Sequence, residues 1–86
     1  MKVLMKPIDM IVWFDKDGNV NPLRYRVEGV EGEYKVVKIE RVIYKKEERL
    51  AGTPMLIFRC QSVVENCERL YELKYDFKGK WYLYKM

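Results

Sequence analysis

The residues that could do chemistry are few and scattered in this chain. The sequence has no histidine, so the commonest general base and the commonest metal ligand are both missing. Cys60 and Cys67 have no companions that would complete a zinc site. Glu47 and Glu48 are adjacent in sequence and cannot act as a matched acid–base pair, and no glycine-rich phosphate loop stands out. We therefore expect a protein that is not an enzyme and that holds no cofactor and no metal.

One segment has the look of a calcium loop. Asp15, Asp17 and Asn19 are spaced like the first ligands of an EF-hand, which also needs Gly at its sixth position and a bidentate Glu at its twelfth. Val20 and Arg26 occupy those two positions, and no flanking helices are predicted. Asp, Asn and Gly are also typical of tight turns, because they tolerate left-handed backbone conformations. We interpret the segment as a turn.

The run from Pro54 to Val64 is the most apolar and most strand-like in the chain, and it contains Arg-Cys-Gln-Ser. We predict that it is a central β-strand paired with residues 67–77 through a hairpin tip at Glu65-Asn66. That register gives each residue of the core face an apolar or aromatic partner, and on the other face it puts Arg59 opposite the anion Glu72. The predicted pairs are Phe58 with Leu73, Cys60 with Tyr71, Leu56 with Tyr75, Arg59 with Glu72, and Ile57 with Lys74. Cys60 then lies in the core, too far from Cys67 near the tip for a disulfide.

A second hairpin, turning at Lys78-Gly79, is predicted to place the last strand beside this pair, with Tyr75 opposite Tyr82, Leu73 opposite Tyr84 and Glu72 opposite Lys85. The core face would then carry Phe58, Tyr71, Leu73, Tyr75, Tyr82 and Tyr84. The other face would carry Met55, Ile57, Trp81 and Leu83, which is too apolar for a solvated surface. We consider these four residues a candidate interface for a homodimer or a protein partner. The alternative is that Met1–Ile8 or the first strand covers them.

Three further strands are predicted at residues 9–15, 23–28 and 34–44, the last with a β-bulge near Val36-Val37 because its apolar alternation slips there. For residues 45–52, which are charged and end in Gly, we favour a loop with one helical turn over a plain polar loop. The expected fold is a single all-β domain, residues 1–86, built as a small antiparallel barrel or strongly curved sheet of about six strands.

Charge suggests one further surface. The chain has 17 Lys and Arg against 13 Asp and Glu, a net charge of +4, which permits binding to a polyanion without requiring it. Pairing of the second and third strands would cluster exposed cations, and these are the candidate polyanion-binding residues: Arg24, Arg26, Lys38 and Arg41. Small β-barrels bind single strands with a basic groove and stacking aromatics, but no exposed aromatic partner can be placed from the sequence.

The location follows from what the chain does not contain. The start is interrupted by Lys6 and Pro7 before a signal-peptide core could form, and no apolar run approaches the ~18 residues of a membrane span. Two cysteines without an export signal favour a reducing cytoplasm and free thiols. We expect a cytoplasmic protein with no membrane association.

Two resemblances concern short motifs. The segment G-K-W-Y-L, Gly79 to Leu83, resembles the hairpin of WYL domains, which are SH3-like barrels in bacterial regulators; we interpret it as the common result of a strand that is aromatic on both faces. The run from Leu50 to Ser62, with K-P-I-x-M near the start and Y-E-L-K-Y later, is similar to a family of small uncharacterised bacterial proteins. That resemblance implies no activity and no site residues.

The function is not determined by these patterns. The expectation is a small non-catalytic interaction or regulatory module, with a homodimer as one form of it. The alternative is a small β-barrel that binds nucleic acid. A small-ligand-binding barrel is a third class, for which the sequence offers no specific feature.

Overall fold

A computed structural model describes the backbone of residues 1–86 and every side chain except that of Leu50. The chain forms one antiparallel sheet of seven strands in the order β3-β2-β1-β7-β6-β5-β4. The all-β prediction is confirmed. The sheet is strongly curled but not closed into a barrel, and the described residues include no helix. The strands are β1 (Val3–Phe14), β2 (Val20–Glu28), β3 (Tyr34–Lys38), β4 (Arg41–Leu50), β5 (Thr53–Val64), β6 (Cys67–Tyr75) and β7 (Trp81–Lys85).

The hairpin of β5 and β6 has the predicted register, with Phe58 opposite Leu73 and Cys60 opposite Tyr71. Its tip, Glu65 and Asn66, has φ angles of 52° and 62°. Two successive positive φ angles make a type I′ turn, whose twist matches that of the strands it joins. The register prediction is therefore confirmed from the Leu56–Tyr75 pair to the tip, including the Arg59–Glu72 pair, although β6 ends at Tyr75 and not at residue 77.

The prediction of a loop or helical turn at residues 45–52 is wrong. These residues continue β4, which pairs with β5 from Arg41 to Leu50. Ala51 and Gly52, with φ angles of 52° and 82°, form the tight turn between the two strands. The misinterpretation has a physical reason, because β4 is the last strand of the sheet and edge strands tolerate charged side chains that shield them from aggregation.

The predicted long third strand is two strands, β3 and β4, separated at Ile39 and Glu40. The Ile39 N–H donates to the Leu23 carbonyl of β2 at 2.9 Å, and the Glu40 N–H donates to the Gln61 carbonyl of β5 at 3.0 Å. These two bonds draw the ends of the sheet together and produce its curl. The predicted bulge at Val36-Val37 is wrong, since the irregularities are this break and a register shift between Val42 and Tyr44.

The predicted register of the second hairpin is wrong by one residue near the turn. The Asp76 carboxylate accepts hydrogen bonds from the Lys78 and Lys80 N–H groups at 2.7 and 3.0 Å. The loop therefore extends to Lys80, and Trp81, not Tyr82, lies opposite Tyr75. A register shift between Glu72 and Leu73 then restores the predicted pairing of Glu72 with Lys85.

This one-residue slip exchanges the two faces of β7. Trp81 and Leu83, each 5% exposed, join the core, while Tyr82 and Tyr84 lie on the opposite face. The Trp81 ring stacks on Tyr75 at 4.8 Å and contacts Phe58 at 5.5 Å between ring centroids. The rest of the buried cluster is Val20, Tyr25, Val37, Ile39, Cys60, Tyr71 and Leu73.

The candidate interface of Met55, Ile57, Trp81 and Leu83 is therefore wrong as a shared exposed surface. Trp81 and Leu83 face the core, and Ile57 is only 1% exposed on the other side of the sheet. Most of the segment proposed as cover, residues 1–8, lies in the plane of the sheet, where Val3, Lys6, Pro7 and Ile8 pair with β7. Met1 does reach the outer face of β5, where its Sδ lies 3.7 Å from Arg59 Nη2.

Candidate functional site

The outer surface of the sheet, opposite the core, divides into two regions. The open face covers β1, β2 and β3 and consists of Ile11, Trp13, Arg24, Arg26, Tyr34, Val36 and Lys38. The closed face covers β4 to β7 and consists of Tyr44, Ile57, Arg59, Glu72, Lys74 and Tyr84. Both faces combine aromatic, aliphatic and charged side chains. They differ in how much of that material is exposed.

The open face carries large apolar side chains in contact with solvent. Ile11, Trp13, Tyr34 and Val36 are between 50% and 61% exposed. They lie outward because Met10 and Val12 alternate with them along β1 and pack against the core. A solvated sheet face is normally polar, so this group requires a functional explanation.

The structure brings three of the four predicted polyanion-binding residues onto this face. Arg24 pairs with Lys38 across β2 and β3, and Arg26 lies two residues further along the same side of β2. Arg24 also lies directly opposite Ile11 of β1. Arg41 is separate, because it follows the break at Ile39-Glu40 and begins β4.

Arg26 is the one cation of the open face with a fixed position. Its Nη2 lies 2.8 Å from Asp9 Oδ2, and its Nε donates to the same oxygen at 2.9 Å. Its guanidinium stacks over the Tyr34 ring at 4.4 Å. The Arg26 and Asp9 side chains are 51% and 64% exposed, so the pair adds little stability but orients the guanidinium. Among the described side chains, Arg24 and Lys38 take part in no ion pair.

Two adjoining grooves follow β1 and β2 on the open face. The larger has a volume of about 310 Å³ and is lined by Ile11, Arg24 and Val36, among others. The smaller, of about 170 Å³, is lined by Pro7, Tyr34 and neighbours. Asp9 and Arg26 line both. The open face is therefore a shallow apolar trough with cations along it.

A separate cleft of about 340 Å³ begins where the open face ends. Trp13 lines it together with Leu23, Arg41 and Lys45. Arg41, the fourth predicted polyanion-binding residue, therefore shares a cleft with the exposed Trp13. Tyr34 lies opposite Glu28 of β2 and lines the smaller groove together with Pro7. About six residues of β1, roughly 20 Å of extended chain, therefore separate Tyr34 from Trp13.

The closed face is covered by its own polar side chains. Glu72, only 5% exposed, receives the Arg59 Nη2 at 2.9 Å and the Tyr44 hydroxyl at 2.9 Å. Burial alone would raise the pKa of the Glu72 carboxyl, but the hydrogen bonds from Arg59 and Tyr44 outweigh it and hold that pKa below its ordinary value. The group is therefore a charged structural anchor.

Lys74 is held in the same way. It is 9% exposed, with its Nζ 3.9 Å from the centre of the Tyr84 ring and 3.8 Å from Glu48 Oε1. Ile57, which lies next to Lys74 across β5 and β6, is buried on this face. The mixture of charge and apolar surface on the closed face is thus satisfied within the molecule.

The two cysteines and the Asp15 turn are the other features that the sequence singled out. Cys60 and Cys67 are free, and burial raises the pKa of the Cys60 thiol to about 12, which keeps it protonated. Asp15 uses its carboxylate inside its own turn, where Oδ1 accepts from the Asp17 and Asn19 N–H groups at 2.9 Å each. The hydrogen bonds from Asn19 lower the pKa of the Asp15 carboxyl.

Sequence reasoning missed the aromatic and aliphatic half of the open face. Trp13 and Ile11 belong to a strand that is apolar on both faces, a pattern that indicated cover on both sides. The alternation of the predicted third strand put Tyr34 and Val36 on one face, but it did not place them beside the cations. The signal was present in Trp13, which lies outward while its neighbour Val12 packs inward, but alternation alone does not say which outward face stays uncovered.

No protein-family model, no curated protein and no solved structure matches the chain. No helix in the described part of the chain is long and apolar enough to cross a membrane.

Proposed function

We propose that this protein is a small non-catalytic binding module that holds single-stranded nucleic acid on its open face. One observation supports this more than any other: exposed Trp13 and Tyr34 lie on the same face as Arg24, Arg26 and Lys38. Stacking on exposed rings and pairing of cations with phosphates are the two interactions by which small β-folds bind single strands.

Each part of the face has a role in this proposal. Trp13 offers its ring to a base, and Tyr34 with the stacked Arg26 guanidinium forms a second platform. Arg24 and Lys38, which have no ion pair among the described side chains, contact phosphates between the platforms. Arg41, beyond Trp13, extends the cationic track. The proposed location is the cytoplasm, and the free cysteines are compatible with that compartment.

Self-association through the open face is the competing function, because Ile11 and Val36 are exposed aliphatic residues. A two-fold dimer would bring the same patch against itself. Arg24 and Lys38, close to the centre of the face, would then approach their own copies, and like charges in contact are unfavourable. Charge therefore favours a polyanion over a second copy of the chain.

The test measures binding of a fluorescein-labelled single-stranded oligonucleotide of about ten nucleotides. Fluorescence anisotropy gives the affinity at a series of salt concentrations from ~50 mM upward. We expect the logarithm of the binding constant to fall linearly with the logarithm of the salt concentration. Lys38→Gln should reduce the salt slope by about 0.7, the contribution of one phosphate contact on a single strand. Lys46→Gln on β4 is the matched control and should leave the slope unchanged.

Absence of binding at ~50 mM salt would overturn the proposal, because phosphate-driven affinity is greatest at low salt. Light scattering on the same samples separates the competing function. A dimer that Trp13→Glu converts to a monomer, together with no oligonucleotide binding, would favour self-association.

A further inference from the structure

We propose a second binding site, for a small carboxylate with an apolar chain, in a cleft on the core side of the sheet. The cleft has a volume of about 350 Å³ and opens between β3 and the tip of the β5–β6 hairpin. We call it the seam cleft and define it by Lys35, Val37, Val64, Arg69 and Leu83. It is distinct from the open face, which lies on the other side of the sheet.

The seam cleft exists because the curled sheet closes only part of the way. β3 is one end of the sheet, and β4 pairs with β5 only as far as Gln61. Beyond that point residues 62–64 of β5 pair only with β6. Ser62 marks the last contact across the seam, where its hydroxyl donates to the Lys38 carbonyl at 2.7 Å and accepts from the Tyr71 hydroxyl. Past Ser62 the two strand edges separate.

The floor of the seam cleft is apolar. Val37 and Leu83 are 6% and 5% exposed, and Val27 packs against the same core. Tyr25 and Tyr71 also line the cleft, and their rings meet edge to face at 5.6 Å. The Tyr71 hydroxyl is already engaged by Ser62, so the floor offers an apolar ligand surface rather than polar contacts. Ligand pockets typically have this composition and a volume of roughly 300–1,000 Å³.

Two cations stand at positions where an apolar residue is expected. Lys35 of β3 is two residues from Val37 and therefore on the core side of the strand. Arg69 of β6 lies opposite Ser62 and two residues from Tyr71, so it is on the core side as well. Both line the seam cleft, one from each wall. Elsewhere β6 carries Tyr71, Leu73 and Tyr75 on this side.

The cations have no carboxylate partner among the described side chains. Glu65 lines the same cleft, but it forms no ion pair with Lys35 or Arg69. Two unpaired cations over an apolar floor select for an anionic head and an apolar tail. A carboxylate fits because the Arg guanidinium binds its two oxygens in the fork geometry while Lys35 supplies a point charge.

The probe for this site is octanoate, and its binding is measured by calorimetry and by NMR of the labelled protein. Octanol and octyltrimethylammonium are the neutral and cationic comparison ligands of the same chain length. We expect saturable octanoate binding that shifts the methyl signals of Val37, Val64 and Leu83. Octanol should bind several-fold more weakly and the cationic amphiphile more weakly still. These comparison ligands separate recognition of the carboxylate from simple partition of an alkyl chain into the cleft.

Variants test the residues. Lys35→Met and Arg69→Met should each weaken octanoate about fivefold, as expected for a partly exposed charged contact, and should leave octanol unchanged. Lys78→Met in the β6–β7 loop is the control and should have no effect. Val64→Phe fills the cleft and should weaken octanoate and octanol alike. Equal binding of all three amphiphiles, or octanoate binding that both methionine variants retain, would overturn the proposal.

Trp13→Ala distinguishes this site from the function proposed for the open face. It should weaken oligonucleotide binding by about 5- to 150-fold and leave octanoate binding intact. Loss of both in a folded Trp13→Ala protein would contradict the separation of the two sites.

Discussion

The open face and the closed face are two outer surfaces of one sheet, built from the same kinds of side chain. Each has tyrosine rings, aliphatic residues and cations. On the closed face Arg59 and Lys74 are paired with Glu72 and Glu48. On the open face Arg26 alone has an anion, and the described side chains leave Arg24 and Lys38 without one. The apolar residues at the centre of each face differ in the same way, since Ile57 is 1% exposed and Ile11 is 56% exposed, whereas Leu70 and Val63 near the β5–β6 tip are 45% and 54% exposed.

The contrast teaches that composition does not separate a structural surface from a binding surface. What separates them is whether the polar groups find partners within the molecule. Glu72 receives Arg59 and Tyr44 and remains largely buried, so its neighbours are held in fixed positions. The central charges of the closed face are therefore already paired within the molecule. The open face retains both its apolar area and its charge.

The two tryptophans give the sharpest test of that contrast. Trp81→Ala should destabilise the protein by about 3–5 kcal/mol, because it removes a large ring from the core. Trp13→Ala should cost less, about 1–2 kcal/mol, because half of the residue is exposed, yet it should weaken oligonucleotide binding by about 5- to 150-fold. Urea unfolding and anisotropy measure the two effects.

If Trp81→Ala does not fold, Trp81→Phe replaces it in the comparison, since this variant keeps a ring beside Tyr75 and Phe58. The contrast fails if Trp13→Ala unfolds as easily as Trp81→Ala. That outcome would mean that Trp13 is part of the core and that the open face is smaller than described.

These same two residues show what the sequence could predict. The β5–β6 register followed from pairing rules, because only one register gives Arg59 an anion and Phe58 an apolar partner. Trp81 was assigned to the wrong face, because the Asp76 hydrogen bonds lengthen the turn by an amount that alternation does not encode. Trp13 was correctly placed in a strand, but its exposure depends on the curl set at Ile39-Glu40, which is a long-range property.

The candidate site was half predictable for a related reason. Arg24, Arg26 and Lys38 alternate regularly in strands that pair as expected, so local pattern was enough to bring them together. Tyr34 and Val36 required knowledge of where the sheet ends. Residues 45–50 of β4 were missed because an edge strand can carry charge on both sides. This part of β4 supplies Glu48 to the closed face.

Glu72→Gln is the next largest test, and it concerns the closed face. The substitution removes the charge that Arg59 and Tyr44 share and should cost about 2 kcal/mol at neutral pH, within the range for a hydrogen-bonded charged group. Glu48→Gln, whose carboxylate is 39% exposed and 3.8 Å from Lys74, is the matched control and should cost about 0.5 kcal/mol or less. Equal effects would show that the Glu72 cluster is no better satisfied than a surface pair.

The pH dependence of the Glu72 contribution follows from its lowered pKa. The unfolded carboxyl titrates near its ordinary value of about 4.3, and the folded carboxyl titrates below it. The stabilisation is therefore complete above that value and is lost as the pH falls through the folded pKa. The difference in free energy of unfolding between wild type and Glu72→Gln should be constant from about pH 7 to 5 and should shrink toward pH 3. A difference that grows on acidification would contradict the assignment; contributions from Asp15 cancel in this comparison.

Asp9→Asn should have the smallest effect on stability and tests the open face alone. Its ion pair with Arg26 is exposed on both sides, so the free energy of unfolding should change by about 0.5 kcal/mol or less. Removing the carboxylate frees Arg26 for phosphate and raises the positive potential of the trough, so oligonucleotide affinity at ~50 mM salt should rise severalfold with a steeper salt slope. If affinity falls instead, Asp9 is needed to orient Arg26 over Tyr34, and the stacked platform rather than the net charge of the face governs binding.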